Sequence, residues 1–171
     1  MARLSAGLLL YRSRSDTGAV DAANRPEVLL VHPGGPWWRG RDLRSWSIPK
    51  GEVEPGEDPR AVAGREFAEE LGRPPPVGPW LDLGDVVQAG GKRVRAWALR
   101  GDFDTGAARS NTFEIEWPPR SGRRQRFPEI DRAEWMPTDA ARRKLVPGQV
   151  PLVDRLVAAL GAAPAGGPAV P

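Results

Sequence analysis

Residues 58–72, DPRAVAGREFAEELG, leave the chain little choice of local structure. Asp58 suits a helix N-cap and Pro59 the first helical position. Gly72 is a C-terminal stop, and Pro74 to Pro76 forbid continuation. Ala63, Phe67 and Leu71 recur every four residues with Val62 beside them, so one face of this helix is apolar. Glu66, Glu69 and Glu70 stand at i, i+3 and i+4 and form one acidic surface about a turn tall. Like charges so placed cost a helix roughly a few tenths of a kcal/mol per pair.

Ordinary solvated faces mix their signs along the stripe. This one is uniformly acidic apart from Arg65, in a chain whose net charge is +3, and the stretch from Gly51 to Gly72 carries seven carboxylates in 22 residues. A divalent cation resolves the repulsion. Oxygen-only ligands suit magnesium, with manganese as the alternative, and a partly hydrated magnesium ion takes phosphate oxygens as its remaining ligands.

The 171 residues suffice for one domain with a real core. The absence of cysteine excludes disulfides, thiolate zinc sites and thiol nucleophiles. The apolar run Ala6–Leu10 is too short, and too soon followed by Arg12 and Arg14, for a signal peptide or membrane span. A soluble, cytoplasmic protein is expected. The small net charge gives no support to duplex nucleic-acid binding.

Strand-length runs occupy 5–12 and 27–32, joined by a polar, turn-rich stretch that reads as a long mobile loop. A Gly/Pro/Trp-rich loop follows, and 45–49 (SWSIP) reads as a short strand. Residues 81–88 and 93–99 form a hairpin across AGGK; 112–117 alternates as a strand; 118–129 reads as a loop. A short strand is expected at 132–136 and helices at 138–145 and 153–160. The pattern is an α/β (α+β) sandwich, a mixed sheet packed between helices. One domain spans 1–161, and 162–171 reads as a disordered Ala/Gly/Pro-rich tail.

Gly51, Glu57 and the run Arg65-Glu66-Phe67-Ala68-Glu69-Glu70-Leu71-Gly72 resemble the Nudix box of the Nudix hydrolase family at all seven fixed positions. Arg73 departs from the aliphatic residue usual after the final glycine. WSIPKGEVEPGED is similar to the lead-in of members that act on polyphosphates, and PEIDRAEWMP to the family's late acidic loop.

The resemblance implies metal binding by Glu66, Glu69 and Glu70, joined by Glu129. It implies a Glu57–Arg65 pair bracing the catalytic loop, and glycines at 51 and 72 for backbone reasons. The proton acceptor is Glu66, Glu70 or a distal glutamate among Glu114, Glu116 and Glu129, of which Glu129 is preferred. Lys50, Arg44, Arg124, Trp37 and Trp38 are candidates for substrate contact, the cations for phosphate and the indoles for base stacking. The single histidine, His32, reads as a local hydrogen-bonding residue.

The implied activity is metal-dependent pyrophosphohydrolysis of a nucleoside triphosphate or dinucleoside polyphosphate by water attack at phosphorus. An ADP-sugar or dinucleotide pyrophosphatase is the alternative, and a non-catalytic nucleotide-binding module ranks below both because no box carboxylate is broken. The sequence sets no oligomeric state.

Overall fold

The apolar runs of the N-terminal half are strands covered on both faces, and so they read as nearly continuous rather than alternating. The structure is a computed structural model that describes residues 3–13 and 26–162. The loop expected to be mobile and, beyond Ala162, the expected tail lie outside the described residues.

β1 (Leu4–Ser13) runs through the middle of a mixed sheet. It pairs antiparallel with β2 (Pro26–Pro33) and with the short β3 (Lys50–Glu52). Beyond β3 come α1 (Pro59–Leu71), β4 (Trp80–Val87) and β5 (Arg93–Arg100). β5 pairs parallel with β1 and antiparallel with β4. β6 (Thr112–Glu116) and β7 (Arg124–Pro128) form a separate two-stranded ribbon. β8 (Ile130–Pro137) closes the main sheet against β2, and α2 (Thr138–Lys144) and α3 (Val150–Ala162) end the described chain. The main sheet runs β4-β5-β1-β2-β8, with β3 attached to β1.

Period-two alternation sorts the side chains into two cores. Leu8 and Leu10 of β1 and Leu29 and Val31 of β2 face α1, meeting Val62, Ala63, Phe67 and Leu71. Leu9, Val28 and Leu30 face the other way, towards Leu145, Leu152, Val153 and Leu156. The result is a three-layer sandwich with α1 on one side and α2 and α3 on the other, as the sequence implies. Burial of Phe67 and Leu71 contributes about 1.5–3 kcal/mol each, far more than the acidic stripe costs. That stripe is therefore tolerated by packing and does nothing for it.

Three local expectations need correction. The segment 45–49 is not a strand: Trp46 and Ser47 make only isolated bridges, to Leu145 and Val31, and the strand begins at Lys50. Gly7 permits this, because a side chain there would press within 2.7 Å of Ile48 and the Pro49 carbonyl. Residues 124–128, read as loop, form β7, with Phe127 opposite Phe113 and Arg126 opposite Glu114. α3 starts three residues before the expected 153.

Candidate active site

α1 is fixed at both ends. Asp58 accepts from the N–H groups of Arg60 and Ala61 at 3.4 and 3.3 Å. At the far end Gly72 adopts φ 82°, and its Cβ position lies 2.7 Å from the Arg109 carbonyl. The C-terminal carbonyls are then taken up by a following loop, with Arg109 N–H donating to Leu71 O at 3.0 Å and Asn111 N–H to Glu69 O at 3.2 Å. Asn111 continues outward: its carbonyl accepts from Glu129 N–H at 2.9 Å, and Glu129 O accepts from Gly34 N–H at 2.8 Å. Glu129 thus hangs on a backbone tied to the acidic helix on one side and to the tryptophan loop on the other.

The acidic residues divide by environment. Glu69 is the outer one, its side chain 44 % exposed, while Glu66 is 16 % exposed. Gly51 of β3 abuts Glu66, and a Cβ at residue 51 would overlap that carboxylate. Burial pushes the Glu66 carboxyl up, the Glu69 charge adds to it, and Arg65 pulls it back. Glu70 is more perturbed: burial raises it to about 8 against the pull of Lys50, with the charges of Glu66 and Glu129 pushing further up. Its Oε2 is buried with no hydrogen-bond partner. Lys50 is held below its usual range first by burial and then by Lys92, with Glu70 and Glu66 opposing.

Arg65 ties the lead-in loop to the helix. It donates to Glu57 Oε1 at 2.5 Å and also reaches Glu66 at 3.5 Å and Glu69 at 3.7 Å. The second Glu57 oxygen accepts from Glu54 N–H at 2.9 Å, so Glu57 closes a turn as well as an ion pair.

Lys50, Glu70 and Glu129 line one cleft, a cavity of about 280 Å3, together with Trp38 and the apolar Val31 and Ile130. The other candidates lie outside its lining. Trp37 is 55 % exposed and meets Trp117 edge-on at 5.8 Å. Arg124 is engaged by Glu114 at 2.5 Å on the β6–β7 ribbon. Arg44 is exposed in the left-handed region at φ 56°, beside the end of α2. His32 is buried, with Nδ1 2.8 Å from Asp131 and Nε2 2.6 Å from the Arg41 carbonyl, and so holds the tryptophan loop against β8. A larger cavity of about 660 Å3, between Tyr11, Arg142 and Leu160, shares no residue with α1.

Sequence reasoning missed the neutral polar lining of the cleft, Ser45, Ser47, Gln88 and Gln149, in which the buried Gln149 links Gln88 to Ser47. Isolated glutamines at 88 and 149 carry no spacing signal.

The donor set fits an oxygen-seeking divalent cation: a buried carboxylate oxygen without a donor, a second carboxylate for which Gly51 makes room, and a third across the cleft. Among the described residues no three such side chains are gathered into a ready cage. Magnesium does not require one, because it keeps several waters and takes one or two carboxylates alongside substrate phosphates.

Among the described residues no helix is long and apolar enough to cross a membrane. The family model for the NUDIX domain matches residues 12–156. An 8-oxo-(d)GTP phosphatase of Mycolicibacterium smegmatis is 30 % identical over 148 residues, which cover 82 % of this chain and 37 % of that protein. An RNA pyrophosphohydrolase of Caulobacter vibrioides is 37 % identical over 91 residues, 43 % of this chain and 51 % of that one. The matches thus span about a third to a half of these relatives' own length. The C. elegans Ap4A hydrolase in its binary complex superposes with a TM-score of 0.62 at 21 % identity, covering 92 % of this chain and 98 % of that one. The NUDIX domain of Shewanella oneidensis NrtR, solved with ADP ribose, gives 0.59 at 16 % identity, covering 94 % and 89 %. At these identities the likeness to solved structures is one of fold. With its box residues arrayed along β3 and α1 and the family model spanning most of its length, the chain belongs to the NUDIX domain family.

Proposed function

We propose that this protein is a divalent-metal-dependent pyrophosphohydrolase of nucleoside polyphosphates. The observation that carries the reading is the unpartnered, buried Glu70 Oε2 in a cleft that also holds Lys50 and Glu129. A carboxylate oxygen out of water without a donor costs free energy unless a cation meets it.

Glu66, Glu69, Glu70 and Glu129 would hold magnesium, or manganese in its place. The ion when bound supplies charge neutralisation at the phosphates and a more acidic water. The side chains do the rest. Lys50, beside Glu70, offers a point charge to a phosphate oxygen. The Glu57–Arg65 pair holds the loop that follows Lys50 and Gly51 of β3 against α1. Glu129 accepts the proton as a water oxygen bonds to phosphorus and the bridging P–O bond breaks, the leaving phosphate taking the bond's electron pair. Among the described residues no ion pair engages Glu129, and its backbone is pinned on both sides. The relatives named as a phosphatase and a pyrophosphohydrolase support this class of reaction.

The test is product release from a panel of nucleoside triphosphates, dinucleoside polyphosphates and ADP-ribose, with and without Mg2+. Glu129→Gln is expected to lower kcat by about 10²–10⁴-fold with little change in KM. Metal-independent binding without turnover on any member of the panel would sink the reading.

A further inference from the structure

A chain of hydrogen bonds fixes which end of one amide faces the cleft. It starts at a group with no choice: the backbone N–H of Ile48 can only donate, and it donates to Gln149 Oε1 at 2.9 Å. The Gln149 amide nitrogen therefore points the other way, to Ser47 Oγ at 2.9 Å and Gln88 Oε1 at 2.8 Å. Ser47 gives its own proton to the Ile48 carbonyl at 2.7 Å, so towards Gln149 it accepts. Both N–H bonds of Gln149 are then used, and Gln88 must turn its oxygen to meet the second.

What remains of Gln88 is its NH2 group, which has no protein partner among the described residues, on a side chain lining the same cleft as Glu70 and Glu129. Its backbone is anchored. Gln88 N–H donates to the Lys92 carbonyl at 2.8 Å, and Gly148 approaches so closely that a Cβ there would lie 2.7 Å from Gln88 Cα. Gln149 is fully buried, so the polarity of this relay is not open to exchange with water. Away from Lys50 and the carboxylates the cleft wall is neutral and partly aromatic, with Trp38, Val31 and Ile130. That lining suits a flat uncharged ring with polar edges.

We propose that Gln88 is a specificity-determining residue that selects a nucleobase with a carbonyl at the recognised edge over one with an amino group there. The preferred bases are 6-oxopurines and 4-oxopyrimidines, against adenine and cytosine. This rests on the reading of the cleft as a nucleoside polyphosphate site. A carbonyl accepts from the Gln88 NH2, whereas an exocyclic amine sets donor against donor and leaves both unpaired.

Inosine and adenosine nucleotides differ only at that edge and make the sharpest probe. Calorimetric titration in Mg2+ with methylene-bridged, non-hydrolysable diphosphates should show the inosine ligand binding about tenfold more tightly than the adenosine ligand, and uridine more tightly than cytidine. In Gln88→Leu both ratios should fall to about twofold or less, since the shape stays and the donor is gone. Gln88→Met carries the same comparison if the leucine variant fails to fold by thermal melt. Equal affinities in the unaltered protein, no binding of any of the four ligands, or a preference that survives both substitutions would overturn the proposal. Absence of turnover with the binding ratios intact would strike the hydrolase reading alone; turnover with equal affinities would strike this one alone.

Discussion

Gly51 of β3 abuts the carboxylate of Glu66 on α1 so closely that any Cβ would overlap it. The requirement for glycine is therefore one of space at a carboxylate. Gly51→Ala must displace either Glu66 or β3. We expect a loss of about 1–3 kcal/mol in thermal or denaturant unfolding from overpacking. A 10–100-fold weakening of Mg2+ activation, read from a metal titration of turnover, should accompany it. Unaltered metal dependence in both Gly51→Ala and Glu66→Gln would show that the Glu66 carboxylate has no part in it.

Metal-free stability should carry the signature of Glu70. Burial raises its folded-state value to about 8 from an ordinary 4.5. A raised value means that the folded chain binds the proton more tightly than the unfolded one. The contribution is complete below the ordinary value and is lost as pH climbs through about 8. In EDTA the melting temperature should thus fall between pH 5 and pH 8 more steeply for the unaltered chain than for Glu70→Gln. Adding Mg2+ at pH 8 should recover the loss in the former only. Parallel pH profiles would contradict the assignment.

The salt bridge from Glu114 to Arg124 lies on the exposed ribbon, where solvent screening leaves it little weight in stability. It matters more for function if Arg124 meets phosphate, because Glu114 then competes for the guanidinium. Glu114→Gln should lower KM for polyphosphates and Arg124→Ala should raise it, each by about three- to tenfold with kcat little changed. Steady-state kinetics on both variants decides the matter; unchanged KM in both removes Arg124 from the substrate path.

Two glycines of the box region should respond in opposite directions. Gly64 sits inside α1 with room for a methyl, the nearest atom of Trp80 lying 3.6 Å from the Cβ position. Gly64→Ala should stabilise the protein by about 0.5–1 kcal/mol through helix propensity. Gly72→Ala meets both the left-handed backbone and the Arg109 carbonyl, and should destabilise by more than about 1 kcal/mol. Chemical denaturation measures both.

What could be read from the sequence was what is local. α1 announces itself through Asp58, Pro59 and Gly72, and its two faces follow from the spacing of Phe67 and Leu71 against Glu66 and Glu70. The central strands were legible because burial on both sides demands unbroken apolar runs. β7 was not, since Arg124, Gln125 and Arg126 are exposed and its one inward apolar side chain, Phe127, forms no pattern alone; its pairing with Phe113 makes it a strand. The Gln88–Gln149 relay was illegible for a different reason. Its members lie 61 residues apart in the chain and are joined only when the turn before α3 packs against the end of β4. The backbone path from Glu69 through Asn111 to Glu129 has no side-chain signature at all.

The parallel register of β1 with β5, from Leu4 opposite Arg93 to Tyr11 opposite Arg100, bears on how the molecule is made. On the ribosome β1 emerges first and must wait for β5 before the middle of the sheet exists. In that interval α1 can rest Phe67 and Leu71 only on β1 and β2, and the edge of β1 that β5 will cover stays open. Nascent chains halted before residue 93 should therefore be the ones that recruit chaperones.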